Sequence, residues 1–205
     1  MSTENEQVLQ KDAVGLYDDA IVTSFRKLLR DQTISIIPPE NAIRFAAQVR
    51  KDKANLPIVS LNRLGFSIKL DEINQKARNI GSFVTRNGNN ENIFAQVIPI
   101  RIEYQIDVFT VDRVTCDAIC RELIFYMIQH PTLQVTVPYG LDIKHDFNLF
   151  LDSDVVDNSD TIEHTEKGVK FRYTLTFYCD DAYLFRQYSQ KQAEIVASVG
   201  TIPKQ

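Results

Sequence analysis

Hydrophobic and polar residues alternate most regularly over residues 98–109, which predicts a β-strand with one buried face. The apolar positions are Ile98, Ile100, Ile102, Tyr104, Ile106 and Val108. The positions between them are Arg101, Glu103, Gln105 and Asp107. We expect the first face to pack in the core and the second to be wet or covered by a neighbouring subunit.

A helix is predicted directly after this strand. Asp112 is a suitable N-cap, and the apolar spacing persists as far as Gln129, where His130 and Pro131 end the helix. The apolar side of the predicted helix consists of Val114, Ala118, Leu123, Tyr126 and Met127.

The N-terminal part of the chain predicts a second amphipathic helix over residues 13–30, with Asp12 as its N-cap. Its apolar positions are Val14, Tyr17, Ile21, Phe25 and Leu28. Residues 33–37 form a β-branched run that predicts a short strand, which Pro38 and Pro39 end. Residues 40–49 are then a short helix or a turn-rich connector.

A further buried strand is predicted at residues 57–61, followed by the sequence Asn-Arg-Leu-Gly and a second short apolar stretch at residues 66–70. The polar residues 71–91 predict a long loop or hairpin tip, because they include an Asn-Gly pair that tolerates positive φ. Loops of this length are usually functional or disordered.

The second half of the chain predicts three more strands. Apolar residues alternate at 133–137, 143–151 and 169–179. An acidic loop, residues 152–160, separates the last two. Period-two strands with two or three helices indicate an α+β fold, with the helices on one face of a mainly antiparallel sheet. We expect residues 12–186 to form one such domain, with flexible arms at residues 1–11 and 187–205.

Composition narrows the possible functions. The chain has 205 residues, 44% of them hydrophobic, and a net charge of −4. Its 23 basic and 27 acidic residues are spread along the sequence, so specific nucleic-acid binding is not expected. No apolar run reaches the roughly 20 residues of a membrane helix, and the N-terminus does not resemble a signal peptide. We therefore expect a soluble protein, made in a reducing compartment because its three cysteines show no disulfide pattern.

Candidate catalytic and metal sites are sparse in this sequence. Cys116 and Cys120 are four residues apart on a predicted helix, but two more ligands for a metal are not evident nearby. His145 adjoins Asp146, and His164 lies between Glu163 and Glu166, yet solvent-facing or hydrogen-bonded histidines explain both pairings. We expect no enzymatic activity, cofactor or metal.

A subunit interface is the better supported kind of site. Alternating charges on a strand suit self-complementary contacts, although they are also common on solvated strands. Aromatic residues after the last strand could close the core or serve an interface, in which aromatics are enriched. The candidate interface residues are Arg101, Glu103, Gln105, Asp107, Tyr183 and Tyr188.

The order of these parts resembles the tail terminator, or tail completion, proteins of tailed bacteriophages. The resemblance rests on an N-terminal helix, the sequence PIVSLNR, the strand IPIRIEYQIDVFT running into the helix DRVTCDAICRELIFYMIQHP, and TLQVTVPYG beyond. It covers about residues 12–186 and depends on pattern, not on an invariant catalytic motif.

The resemblance implies a structural virion protein whose subunits form a ring, expected to be hexameric, that caps the tail tube and joins it to the head connector. Its partners would be further copies of itself, the tube and sheath proteins and the connector, with DNA passing through the ring. It implies location in the virion neck, and in the host cytoplasm during assembly. Another neck or head-closure subunit, a non-viral ligand-binding α+β domain, and a hydrolase using His145 and Asp146 are the alternatives.

Overall fold

The described residues form a curled mixed sheet of seven strands with three helices. The computed structural model describes residues 14–29, 34–50, 55–71, 81–86, 92–137, 144–159 and 170–188. The helices are α1 (Gly15–Leu28), α2 (Pro39–Arg50) and α3 (Arg113–Gln129). The strands are β1 (Ser35–Ile37), β2 (Ile58–Ile68), β3 (Gly81–Arg86), β4 (Asn92–Thr110), β5 (Thr132–Thr136), β6 (Lys144–Asp157) and β7 (Phe171–Tyr188). The predicted α+β class is confirmed.

The strands are ordered β1-β2-β4-β7-β6-β5, and β3 pairs with β4 beyond the end of β2. β1 runs parallel to β2, whereas each of the other pairings is antiparallel. β4 is therefore the centre of the sheet, with β7 along one side and β2 followed by β3 along the other. This is the strand that the sequence predicts most strongly.

The hydrophobic core lies between one face of the sheet and the helices α1 and α3. On β4, the alternating residues Ile100, Ile102, Tyr104, Ile106 and Val108 are all fully buried, as predicted, whereas Ile98 is only partly buried. Tyr17, Ile21 and Phe25 of α1 and Cys116, Ile119 and Leu123 of α3 are fully buried against them. Apolar burial on this face is the main term that stabilises the fold.

Helix α2 lies on the opposite face, so the prediction that all helices share one face is not confirmed. Phe45 of α2 packs edge-on against Phe109 of β4, with ring centroids 6.1 Å apart. Phe109 and Ile58 are directly opposite one another on β4 and β2, and both are buried with Phe45 in a small second cluster. α2 thus covers one end of the sheet face that carries the polar residues of β4.

Three predicted boundaries are wrong because β-strands pass through segments whose sequence reads as a turn or loop. β2 continues from Ile58 to Ile68 as one strand, with an irregularity between Arg63 and Gly65, instead of ending at Leu61. β3 occupies residues 81–86 of the segment predicted as a long loop or hairpin tip and pairs with the start of β4, and the Asn-Gly pair between the two strands lies outside the described residues. β6 continues through residues 152–157 of the predicted acidic loop, again with a register shift.

A polar network crosses the core between α1 and the sheet. The Tyr104 hydroxyl donates to Asp18 Oδ1 at 2.8 Å, and Arg63 Nη1 lies 3.1 Å from Asp18 Oδ2. Burial, followed by the nearby Asp18 carboxylate, raises the pKa of Tyr104 well above its ordinary value. Tyr104 therefore remains a neutral donor to a buried carboxylate, which fixes α1 over β2 and β4.

The helix boundaries follow the sequence closely for α3 and less closely for α1. The backbone N–H of Thr115 donates to Asp112 Oδ1 at 2.7 Å, which confirms the predicted N-cap. Val114, however, is 78% exposed, so it does not belong to the apolar side of α3. The N-cap residue of α1 is Val14, without a side-chain cap bond, and the predicted cap Asp12 lies outside the described residues.

The predicted arms fall largely outside the described residues, namely all of residues 1–11 and residues 189–205. β7 extends to Tyr188, two residues into the predicted C-terminal arm.

Candidate subunit interface

Four of the six predicted interface residues lie together on one face of β4, on the side opposite α1 and α3. They differ sharply in exposure. The side chain of Glu103 is 55% exposed and that of Arg101 is 38% exposed, whereas the side chain of Asp107 is only 4% exposed. Gln105 is intermediate. The exposure of side chains on this face therefore increases from a closed end beside α2, at Asp107, to an open end at Arg101 and Glu103.

Asp107 is the centre of a closed hydrogen-bond network. Arg172 of β7 donates to its carboxylate through Nε at 3.2 Å and through Nη2 at 3.1 Å. The Thr174 hydroxyl donates at 2.7 Å, Gln105 Nε2 at 3.0 Å and Asn62 Nδ2 at 3.3 Å. Both carboxylate oxygens are thus satisfied by donors from three adjacent strands.

The prediction that Asp107 faces water or a neighbouring subunit is therefore wrong. Its carboxylate is already buried within its own chain, where it joins β2, β4 and β7. Asn158 extends the network by donating from Nδ2 to the Thr174 hydroxyl at 2.8 Å. Asp107 and Arg172 therefore stabilise the pairing of β4 with β7. Only the residues further along this face, toward Arg101, are exposed enough to contact a partner.

Arg101 is the centre of the open end of this face. Its guanidinium lies 3.4 Å from Glu103 Oε1 and 3.9 Å from Asp180 Oδ1. The guanidinium carbon also stands 3.8 Å above the ring of Tyr178. Tyr178 in turn stacks on Phe150 of β6, with centroids 5.4 Å apart and ring planes 22° apart.

We call this group, Arg101, Glu103, Phe150, Tyr178 and Asp180, the open-face cluster. It combines a cation, two carboxylates and a pair of stacked aromatic rings on a surface where Phe150 remains 40% exposed. Arginine and aromatic side chains are enriched in protein interfaces, and cation–π contact restrains the arginine before binding. The cluster is thus chemically suited to contact with another protein.

The other two predicted interface residues do not join the cluster. The backbone N–H of Tyr183 donates to the Tyr17 hydroxyl at 2.8 Å, and its ring packs edge-on against His145 at 5.0 Å. Tyr183 therefore helps to close the core beside α1, which is the alternative that its sequence context left open. Tyr188 is the last residue of β7, opposite Phe94, and its side chain lies outside the described part of the structure.

His145 and Asp146 do not form a catalytic pair, because adjacent residues on a strand point to opposite faces. A ring nitrogen of His145 lies 2.7 Å from the carbonyl oxygen of Asp181, and its ring packs against Tyr17 and Tyr183. Asp146 accepts a hydrogen bond from Gln134 Nε2 at 2.7 Å on the other face. The second candidate pairing, around His164, lies outside the described residues.

Cys116 and Cys120 are both buried in the core side of α3. The Cys116 thiol donates to the Val108 carbonyl oxygen at 3.8 Å. Interaction with the neighbouring Cys116 thiol, followed by burial, raises the pKa of Cys120. Burial raises the pKa of the third thiol, Cys179, to about 12. Within the described residues, no group of three or more His, Cys, Asp or Glu side chains could hold a metal ion.

The residues of this face that the sequence did not indicate as candidates come from strands other than β4. They are Asn62, Phe150, Arg172, Thr174 and Asp180. Tyr178 belongs, with Tyr183, Phe185 and Tyr188, to the aromatic group that the sequence already offered as core closure or interface. The alternation of residues 169–179 already places Arg172, Thr174 and Tyr178 on one face of their strand. Only the register of β7 against β4 shows that this face adjoins Asp107 and Arg101.

None of the helices in the described residues is long and apolar enough to cross a membrane. No protein-family model matches the sequence, and a search among curated proteins finds no match.

Proposed function

We propose that this protein is a structural virion protein, a bacteriophage tail terminator that forms a ring on the end of the tail tube and joins the tail to the head connector. The proposal starts from the sequence resemblance over residues 12–186. The single structural observation that favours it is the open-face cluster, a prearranged contact surface on the polar face of the sheet.

Prearrangement matters because binding costs free energy for every side chain that becomes ordered. The Arg101 guanidinium already contacts Glu103, Asp180 and the Tyr178 ring in the free chain. The buried Asp107 network links β4 and β7, the two strands that carry these residues. A surface with its charges already fixed loses little entropy on assembly, which suits a subunit that must dock repeatedly in one orientation.

Deletion of the gene from the phage or prophage that carries it tests the proposed role directly. Without a terminator, tube polymerisation is not stopped, so electron micrographs of the lysate should show tails of variable and excessive length that lack heads. Complementation with the wild-type gene should restore a single tail length and joined particles.

Immunogold labelling of complete particles locates the protein independently. Label at the junction of head and tail, together with overlong tails in the deletion, supports the proposal. Label at the neck with tails of normal length would instead indicate a head-closure subunit. Particles without label, or normal assembly without the gene, would contradict a virion role altogether.

A further inference from the structure

The sheet has two edges that no strand of the described chain covers. β1 pairs with β2 only at residues 58–60, so the remainder of β2, out to Ile68, has β4 as its single described neighbour. At the other end of the strand order, β5 pairs only with β6. Open strand edges present unpaired N–H and C=O groups and pair readily with another strand.

The β2 edge carries an apolar stripe, consisting of Leu64, Phe66, Ile68 and Leu70. These side chains are 47–61% exposed, which is unusual for four large apolar residues at alternate positions. Phe66 and Ile68 lie directly opposite the buried residues Ile102 and Ile100 of β4. They therefore point to the same side of the sheet as the core, beyond the part that the helices cover.

The β5 edge borders a groove whose other wall is α1. The groove has a volume of about 520 Å³, and its β5 wall comprises residues 132–136. The α1 wall consists of Leu16, Asp19, Ala20, Thr23, Ser24 and Lys27, and Tyr126 of α3 also lines the groove. The small side chains of Ala20, Thr23 and Ser24 leave room for an added strand beside β5, and Asp19 and Lys27 are the charged residues of this wall.

We propose that the β2 edge of one copy of this chain docks in the α1–β5 groove of the next copy, where it adds a strand to β5. The proposal specifies the ring contact of the function proposed above, on which it rests. Leu133 and Val135 show which face of β5 belongs to the core, since Val135 is buried and Leu133 packs against the core beside α1. A strand added in the same sheet would direct Phe66 and Ile68 to that same face.

The side chains of the apolar stripe would then enter the groove and contact Leu16 and Ala20 of the neighbouring α1. Every copy carries both surfaces of this contact, the apolar stripe at one edge of the sheet and the groove at the other. The contact is therefore heterologous, and repeated head to tail it closes into a ring where the rotation between copies permits. The second copy is the favoured occupant because every copy carries both an open strand edge with exposed apolar side chains and an open strand edge beside a helix, and pairing the two would satisfy the backbone groups of both edges.

Cysteine cross-linking between two separately purified variants tests the pairing. One variant carries Phe66→Cys on the stripe, and the other carries Thr23→Cys, which is exposed on the groove wall. Native cysteines are buried, so they contribute little background. We expect a disulfide-linked dimer when the two variants are mixed under mild oxidation, since a disulfide requires Cβ atoms within about 4.5 Å.

Cross-links that form only between two copies of the Phe66→Cys variant would show edge-to-edge pairing of β2 and overturn the proposal. So would a chain that remains monomeric by light scattering throughout the micromolar range. Val114→Cys provides the matched control, because Val114 is an exposed apolar residue on α3 that belongs neither to the apolar stripe nor to the groove lining. It should cross-link with neither variant.

Replacing the apolar stripe residue by a charged one gives a second readout without cross-linking. Phe66→Asp should weaken self-association at least about tenfold in dissociation constant, whereas Val114→Asp should leave it unchanged. Self-association that survives Phe66→Asp would contradict the docking of the stripe. Because these measurements use purified protein, they can succeed even if labelling of particles shows that the chain is not a tail terminator.

Discussion

At the scale of single residues, Asp107 shows how a polar position on an alternating strand can belong to the interior. Four neighbouring side chains donate to its carboxylate, and Arg172 also lies over the Phe109 ring, with its guanidinium carbon 5.6 Å from the centroid. A carboxylate in this position is stable only while its donors remain in place. Removing one partner of a buried ion pair costs about 3–5 kcal/mol of stability, whereas an ion pair exposed to water contributes about 1 kcal/mol or less.

Asp107→Asn should therefore destabilise the fold by about 3 kcal/mol, because the amide loses the charge that Arg172 neutralises and turns a donor toward other donors. Urea unfolding, with the midpoint compared at constant slope, measures the change. Glu103→Gln is the matched control on the same face, and it should alter stability by no more than about 0.5 kcal/mol since Glu103 is exposed. A loss below about 1 kcal/mol for Asp107→Asn would mean that the network is solvated.

At the scale of elements, the sequence predicts structure well where the determinants are local. β4 follows from its period-two alternation, and α3 follows from the Asp112 cap and the stop at His130. β3 and the continuation of β2 past Gly65 could not be predicted, because pairing with β4 outweighs the turn-forming residues around them. In the open-face cluster, the sequence predicts that Arg101 and Glu103 share one face of a strand. Their position beside Phe150, Tyr178 and Asp180 depends on how β7 is aligned with β4 and β6, which the sequence does not show.

The N-cap of α3 makes a specific prediction about pH. Hydrogen bonds from the Thr115 backbone and hydroxyl lower the pKa of Asp112 below its ordinary value near 4. The charged cap therefore stabilises the folded state fully above that ordinary value, and this contribution disappears as the pH falls through the lower pKa of the folded state. Asparagine caps helices about as well as aspartate and does not titrate.

The melting temperature of Asp112→Asn should consequently be close to that of the wild type at pH 6 and should exceed it by a few degrees near pH 2. Thermal unfolding followed by circular dichroism across this range measures the difference. Asp71→Asn, which removes an exposed carboxylate after β2, should keep the wild-type pH dependence. Parallel curves for Asp112→Asn and the wild type would show that the cap does not contribute to acid sensitivity.

At the scale of the whole molecule, the two faces of the sheet have separate tasks. One face buries the core under α1 and α3, and the other is closed by α2 at one end and open at the other. The open end carries charge that is fixed in place, and the edges of the same sheet carry an apolar stripe and a groove. The open face, the β2 edge and the groove beside β5 are therefore three separate surfaces that can contact other proteins without any change in the core.

The open face can be tested for assembly without disturbing folding, provided that Glu103 is changed and Asp107 is left alone. Glu103→Lys places a like charge beside Arg101 on an exposed surface, so we expect stability to stay within about 0.5 kcal/mol of the wild type. Glu122→Lys is the matched control, since Glu122 is similarly exposed on α3 and lies 3.5 Å from an arginine, Arg121.

In a deletion strain complemented with each gene, Glu103→Lys should reduce the yield of joined particles at least about tenfold, because a reversed charge in an interface costs more than about 1.4 kcal/mol. Glu122→Lys should restore the wild-type yield. If Glu103→Lys restores it equally, the open face is only solvated and does not take part in assembly.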